Sequence, residues 1–130
     1  MTAPQTTYIP GVCNIGPAER RMRRTIGWLG VLISVILTVA LLAAGTDRGW
    51  RLLVWFPATL AAVGFLQSAW HFCAKFGFGG VFNFGATVGK TDTVEQAEFR
   101  RKDVRTAVLI LILAAFIGAA AAAVAFFLPA

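Results

Sequence analysis

A chain of 130 residues that is 58% hydrophobic and only 14% charged is too apolar for a soluble domain of its size; an average globular sequence is roughly 45–50% apolar and about 25% charged. The net charge of +6 raises nucleic acid as a partner, but no interleaved aromatic and basic platform accompanies the charges, so no nucleic-acid binding is expected. The runs Ile26–Ala44, Leu52–Ala74 and Thr106–Ala130 lack Asp, Glu, Lys and Arg, and His71 is the one histidine in the chain.

Each run reaches the roughly 20 residues that a helix needs to cross a hydrocarbon core of ~30 Å. None alternates as a barrel strand does. The expected fold class is an all-α membrane protein with three transmembrane helices, over about 26–44, 52–74 and 106–128. It should have an arm at 1–17, a transmembrane domain at 18–130, and a cytoplasmic amphipathic extension before the third helix.

In chain order, the arm is polar and turn-rich, with Pro4, Pro10, Gly11, Gly16 and Pro17 breaking regular structure. Its centre, Tyr8–Gly16, is too apolar for a solvated tail and is expected at the membrane surface or against the loop after helix two. Pro17-Ala18-Glu19 suits a helix start, and that helix can run through Arg20, Arg21, Arg23 and Arg24 into the first span. A cleaved signal peptide is disfavoured, because the apolar run is longer than the usual 7–15 residues and a polar arm precedes the arginines.

Arg48 and Arg51 lie in the turn between the first two spans, while the other ten basic residues lie before the first span or between the second and third. This asymmetry is the positive-inside pattern. It predicts an inner-membrane protein with a cytoplasmic N-terminus and an outside C-terminus, whose basic residues also attract anionic lipid. Cys13 and Cys73 then sit on the reducing side, and no disulfide is expected.

Gly45–Trp50 reads as a tight turn that makes helices one and two antiparallel neighbours. In helix two, Gly64, Gln67, Ser68, His71 and Lys75 recur at helical spacing as one polar stripe, which is expected to face protein. His71 is the candidate ligand for a haem iron or a chlorophyll magnesium, with Gln67 one turn away as its orienting group. The alternatives are a structural histidine and a proton or ion relay. Cys13, His71 and Cys73 lack the pairing of a metal site, because residues two apart on a helix point to different sides.

Phe76–Gly85 alternates phenylalanine with small residues, too short to span, and is expected in the headgroup zone or folded back on the bundle. Gly85–Thr91 resembles a phosphate-binding loop but is one residue short and follows no parallel strand, so it is set aside. Thr91–Arg105 reads as an amphipathic helix capped by Asp92 or Thr93, with Glu95 or Gln96 completing a capping box and Glu98 paired with Lys102. In the third span Ala114, Gly118 and Ala122 form a small-residue face suited to a close helix contact, within the chain or between copies.

Asn14-Ile15-Gly16, Glu19-Arg20, Arg23 and Gly27 ahead of a span, followed by Gly64 and His71–Gly77, resemble the YgaP-like transmembrane domain family over about residues 13–80. Ala74 stands where that pattern has proline, Phe76 is offset from its tyrosine, and the third helix is additional. The resemblance implies a small helical membrane domain, in relatives sometimes joined to a sulfurtransferase. It also implies a sulfur-handling role for Cys73. No Ser-His-acid set or buried carboxylate pair is evident, so no enzyme activity is expected. The leading expectation is a non-catalytic subunit that assembles with copies of itself or other membrane subunits. The alternatives are a cofactor-binding subunit using His71 and a sulfur or metal handler using Cys73 and Cys13.

Overall fold

Proline at a helix start and glycine after its end set the limits of the first element. In the computed structural model, which describes residues 7–129, α1 spans Pro17–Ala43 with Glu19 in its first turn. The first six residues of the arm and Ala130 lie outside the described residues. Pro17 loses no hydrogen bond there, and the acid meets the positive end of the helix dipole. The helix passes through the arginines into the apolar run without a break and ends before Gly45, whose φ is +66°. A 3-10 helix, Arg48–Val54, leads into α2, Trp55–Trp70, where Pro57 sits in the first turn and breaks nothing.

The second helix ends earlier than its apolar run. His71 takes a left-handed conformation, φ +54° and ψ +37°, and closes α2 after Trp70 rather than continuing it to Ala74. The hydrogen bonds that end it are local and tertiary together, the local one running from the Phe72 N–H to the Gln67 carbonyl (3.1 Å). The His71 carbonyl accepts the backbone N–H groups of Asn14 (3.0 Å) and Ile15 (3.3 Å), and the Gln67 side chain accepts the Ala74 N–H (2.8 Å).

The chain then folds back on the bundle as a short helix α3, Ala74–Gly79, turned at Gly80 with φ +67°. Strand β1, Val81–Phe82, pairs antiparallel with β2, Asp92–Thr93. That pairing corrects the expected start of the last helix: Asp92 and Thr93 are strand residues, not caps. Helix α4 is Ala97–Phe127, and Gln96 before it makes no side-chain cap bond. Glu98 and Lys102 do meet, at 4.0 Å, but both are exposed and add little.

Three helices are long and apolar enough to cross a membrane. Helix α2 lies between α1 and α4 and packs on both. The α1–α2 contact is made by glycines: a Cβ at Gly64 would lie 2.6 Å from the Arg23 carbonyl oxygen and from the Gly27 nitrogen, and one at Gly30 would lie 2.6 Å from the Ala61 nitrogen. On the other side, Ala114, Gly118 and Ala122 are buried against α2 of the same chain, with Gly118 against Thr59 and the Trp55 carbonyl. Trp55 also donates from Nε1 to the Ala115 carbonyl (3.1 Å).

Each end of the bundle is closed by polar groups. At the turn end, buried Arg51 donates to the carbonyls of Ala125, Phe126 and Leu128, and Arg48 reaches two of the same three. Of these carbonyls Ala125 also accepts the Leu128 N–H (3.4 Å); they lie in the last turn, where the helix leaves carbonyls without i+4 partners, and the guanidinium charge meets the negative end of its dipole.

At the arm end, Asp103 is fully buried and holds the arm down. It accepts the Tyr8 hydroxyl (2.6 Å) and the Gly11 N–H (2.7 Å), while Thr106 donates to the Gly11 carbonyl (2.6 Å). Burial, and after it the Asp103 hydrogen bond, push the Tyr8 phenol well above its ordinary pKa, so it stays a donor. Tyr8→Phe should therefore destabilise the protein by about 1–3 kcal/mol, because a buried carboxylate loses one of its two donors. Thermal unfolding in mild detergent measures this, and an unchanged midpoint would show that the strap contributes nothing.

Candidate functional site

The polar residues of the arm and of the start of α1 converge on the turn between α2 and α3. Asn14 is buried and pairs with both backbone groups of Cys73. Its Oδ1 accepts the Cys73 N–H (2.7 Å) and its Nδ2 donates to the Cys73 carbonyl (3.1 Å). A carboxamide carries both an acceptor and donors, so one side chain can meet both backbone groups of the residue before α3, whose carbonyl also accepts the Gly77 N–H (2.9 Å). The Asn14 carbonyl accepts the Asn83 N–H, and Gly16 donates to the Asn83 carbonyl, both at 2.9 Å. The arm thus ties the turn after α2 to the loop after α3.

One helical turn apart on α1, Glu19 and Arg23 form a buried ion pair at 2.8 Å. Glu19 uses its other oxygen to accept Asn83 Nδ2 (2.7 Å) and the Gly89 N–H (2.6 Å). Arg23 directs its second terminal nitrogen, Nη2, at the Cys73 sulfur, 3.0 Å away, and its guanidinium lies 5.4 Å from the Phe76 ring centroid. The buried charges are therefore paired and hydrogen-bonded, the condition under which burial is tolerated.

A groove of about 670 Å³ opens beside this cluster, lined by α1, α2, α3, Val88 and Gly89 of the loop between the strands, and Leu111 of α4. Glu19, Arg23, Gln67, Cys73 and Lys75 contribute its polar lining, and Ile26, Leu60 and Val63 are among its apolar walls. The arrangement offers a thiol, a cation aimed at the sulfur, and an apolar chamber for a substituent.

His71 does not join this site. Gly64, Gln67 and Ser68 of the polar stripe are buried against protein, with Arg20 Nε donating to the Ser68 carbonyl (2.9 Å). Because α2 ends at Trp70, His71 leaves the stripe and is absent from the groove lining. Gln67 Oε1 accepts the Ala74 N–H, and among the described residues no hydrogen bond joins Gln67 to the imidazole. Burial, then the nearby Arg20 charge, lower the His71 pKa and favour the neutral ring.

Cys13 is buried elsewhere, donating to the Ile15 carbonyl at 3.7 Å, and burial pushes its thiol pKa up. Both cysteines are free thiols. Among the described residues no group of three or more His, Cys, Asp or Glu is placed to hold a metal ion.

Read from charge alone, Arg23 belongs to the topogenic cluster and Glu19 to a helix start. The signal that sets them apart is their i,i+4 spacing at the mouth of a span, where an acid is costly unless paired. Asn83 carried no local signal. Comparison with family models, with curated proteins and with solved structures finds no match to the chain.

Proposed function

We propose that this small integral membrane protein carries sulfur on Cys73. The observation that carries the reading is the Arg23 Nη2 donor 3.0 Å from Cys73 Sγ at a groove wall. A guanidinium aimed at sulfur stabilises negative charge there, both when the thiolate attacks and when it is released. The reaction is an exchange with an organic persulfide. Cys73 sulfur attacks the outer sulfur of R–S–SH, a new S–S bond forms between Cys73 and that sulfur, and the donor's own S–S bond breaks. R–S⁻ leaves and takes up the thiol proton, with no net oxidation. The resulting Cys73 persulfide lies on the Arg23 cation and hands its outer sulfur to an acceptor thiol by the reverse step. The chain needs no second cysteine for this, which accords with Cys13 being bonded elsewhere.

Mass spectrometry after treating the detergent-purified protein with cysteine persulfide tests the proposal. The expected result is one added sulfur atom on the Cys73 peptide, with Cys13 unmodified, and slower loading in Arg23→Gln. Loading of Cys13 as fast as Cys73, or no loading at all, would sink it.

The orientation proposed from the charge asymmetry puts the arm, the thiol site and Lys75–Arg105 in the cytoplasm and the Arg48–Arg51 turn outside. Labelling of a cysteine introduced at Thr91 should then require permeabilised cells. Labelling in intact cells by an impermeant maleimide would reverse the assignment.

A second reading, a non-catalytic subunit of a homo-oligomer or larger membrane complex, is favoured by one feature. Trp28, Leu32, Val35, Ile36 and Val39 of α1 are more than half exposed, which leaves one face for lipid or for a partner helix.

A further inference from the structure

We infer that the chain has a dedicated site for an anionic phospholipid between α3 and the first turns of α4, sharing only the Phe78 wall with the thiol groove. A cavity of about 740 Å³ there is lined by Phe78 on one side and by Arg101, Val104, Arg105 and Val108 on the other. Arg101 and Arg105 are one helical turn apart and therefore point to one side. Both are exposed, and neither makes a hydrogen bond or ion pair among the described residues. Their neighbour Arg100, by contrast, is spent on the carbonyls of Val94 and Glu95. Of the acids on the same helix, Asp103 is turned to Tyr8 and Gly11, and Glu98 lies at 4.0 Å from Lys102 in a weak exposed pair. Two like charges at i,i+4 repel each other, and a bound anion would turn that repulsion into attraction.

The depth and the walls select a lipid over a soluble anion. Arg105 is the last charge before the apolar run Thr106–Phe127, so the two guanidinium groups stand at the edge of the hydrocarbon layer, about 6 Å apart along the axis. Planar guanidinium forks match phosphate oxygens. In the same cavity, Val104, Val108 and Phe78 are each more than one-third exposed and offer an apolar track for an acyl chain. A phosphodiester with a net negative charge fits this combination. A zwitterionic lipid brings a cation of its own toward the two arginines and should bind less well. Basic pockets beside transmembrane helices recognise lipid headgroups in this manner.

The test uses full-length protein in mild detergent, read by native mass spectrometry and thermal unfolding with added phosphatidylglycerol, phosphatidylcholine or inorganic phosphate. Phosphatidylglycerol should be retained about thirtyfold over phosphatidylcholine and should raise the unfolding midpoint, as two charge contacts at a membrane surface imply. Arg101→Gln/Arg105→Gln should abolish that preference while leaving the midpoint in phosphatidylcholine unchanged. Equal retention of the two lipids by wild type would overturn the inference without need of any variant. Stabilisation by inorganic phosphate equal to that by phosphatidylglycerol would overturn the lipid assignment in favour of a soluble anion. Sulfur loading at Cys73 is a separate readout, so failure of either proposal leaves the other standing.

Discussion

Gly64→Leu should yield no folded protein, and even Gly64→Ala should lower stability measurably. The sign is not obvious beforehand, since alanine is favoured over glycine inside a helix by up to about 1 kcal/mol. Against that gain stands the contact at the α1–α2 crossing, where a Cβ would sit 2.6 Å from backbone atoms of Arg23 and Gly27. Backbone cannot rotate away as a side chain can, so the two helices must separate. Separation also loosens Gly30 from Ala61 and Gly27 from Phe65. Overpacking of this kind costs typically 1–3 kcal/mol for small additions, which exceeds the propensity gain, and a leucine adds three more carbons. Within a membrane the loss is not softened by a hydrophobic driving force between helices, because association rests on close packing itself. Gly49→Ala is the control: nothing lies within 4 Å of a Cβ there, and its φ is ordinary. Thermal unfolding in detergent should rank wild type and Gly49→Ala together, Gly64→Ala below them, and Gly64→Leu absent from the folded fraction. A Gly64→Ala protein as stable as wild type would mean that the helices do not approach this closely.

The three spans are legible in the sequence because exclusion of charge from about 20 residues is a local property. The entry of α1 through its arginines is legible for the same reason. The small-residue face of α4 is legible as a pattern, but the same pattern at Gly27, Gly30, Ala61 and Gly64 is harder to see, because those glycines are scattered among bulky residues. The end of α2 was not readable. Its apolar run continues to Ala74, and the bonds that hold the His71 carbonyl at its end come from Asn14 and Ile15, far away in the chain. Helical periodicity extended past that point carries His71 onto a stripe that it leaves. The thiol site is legible only in fragments. Asn14, Glu19, Arg23 and Cys73 each stand in a short motif, but the contacts among them depend on how the arm folds under the α2–α3 turn. Asn83 and Gly89 complete the set from a loop with no periodicity at all. Arg48 and Arg51 show the opposite error. Counted as the minority charges of a topology rule, they also cap α4, a role set by where Phe127 happens to end.

Glu19→Gln should be among the most damaging single-atom changes available in this protein. Every partner of the Glu19 carboxylate is a donor: Arg23 at 2.8 Å on one oxygen, Asn83 at 2.7 Å and the Gly89 N–H at 2.6 Å on the other. An amide nitrogen in place of either oxygen points donor at donor, and it leaves the buried Arg23 guanidinium without a countercharge. Breaking a buried pair from one side costs about 3–5 kcal/mol, whereas removing both charges together is often neutral. The double variant Glu19→Leu/Arg23→Met should accordingly recover much of the stability lost in Glu19→Gln. Function should not follow stability. In the double variant Cys73 has no cation beside its sulfur, so persulfide loading should remain slow although the protein folds. In Glu19→Gln the loop around Gly89 loses its anchor as well and should be cut faster by protease near Lys90. Unfolding midpoints, proteolysis rates and Cys73 loading, measured on the same three proteins, separate the two roles of the pair. Equal midpoints for wild type and Glu19→Gln would show that Glu19 does not hold the knot. Full loading speed in the double variant would show that Arg23 serves structure alone.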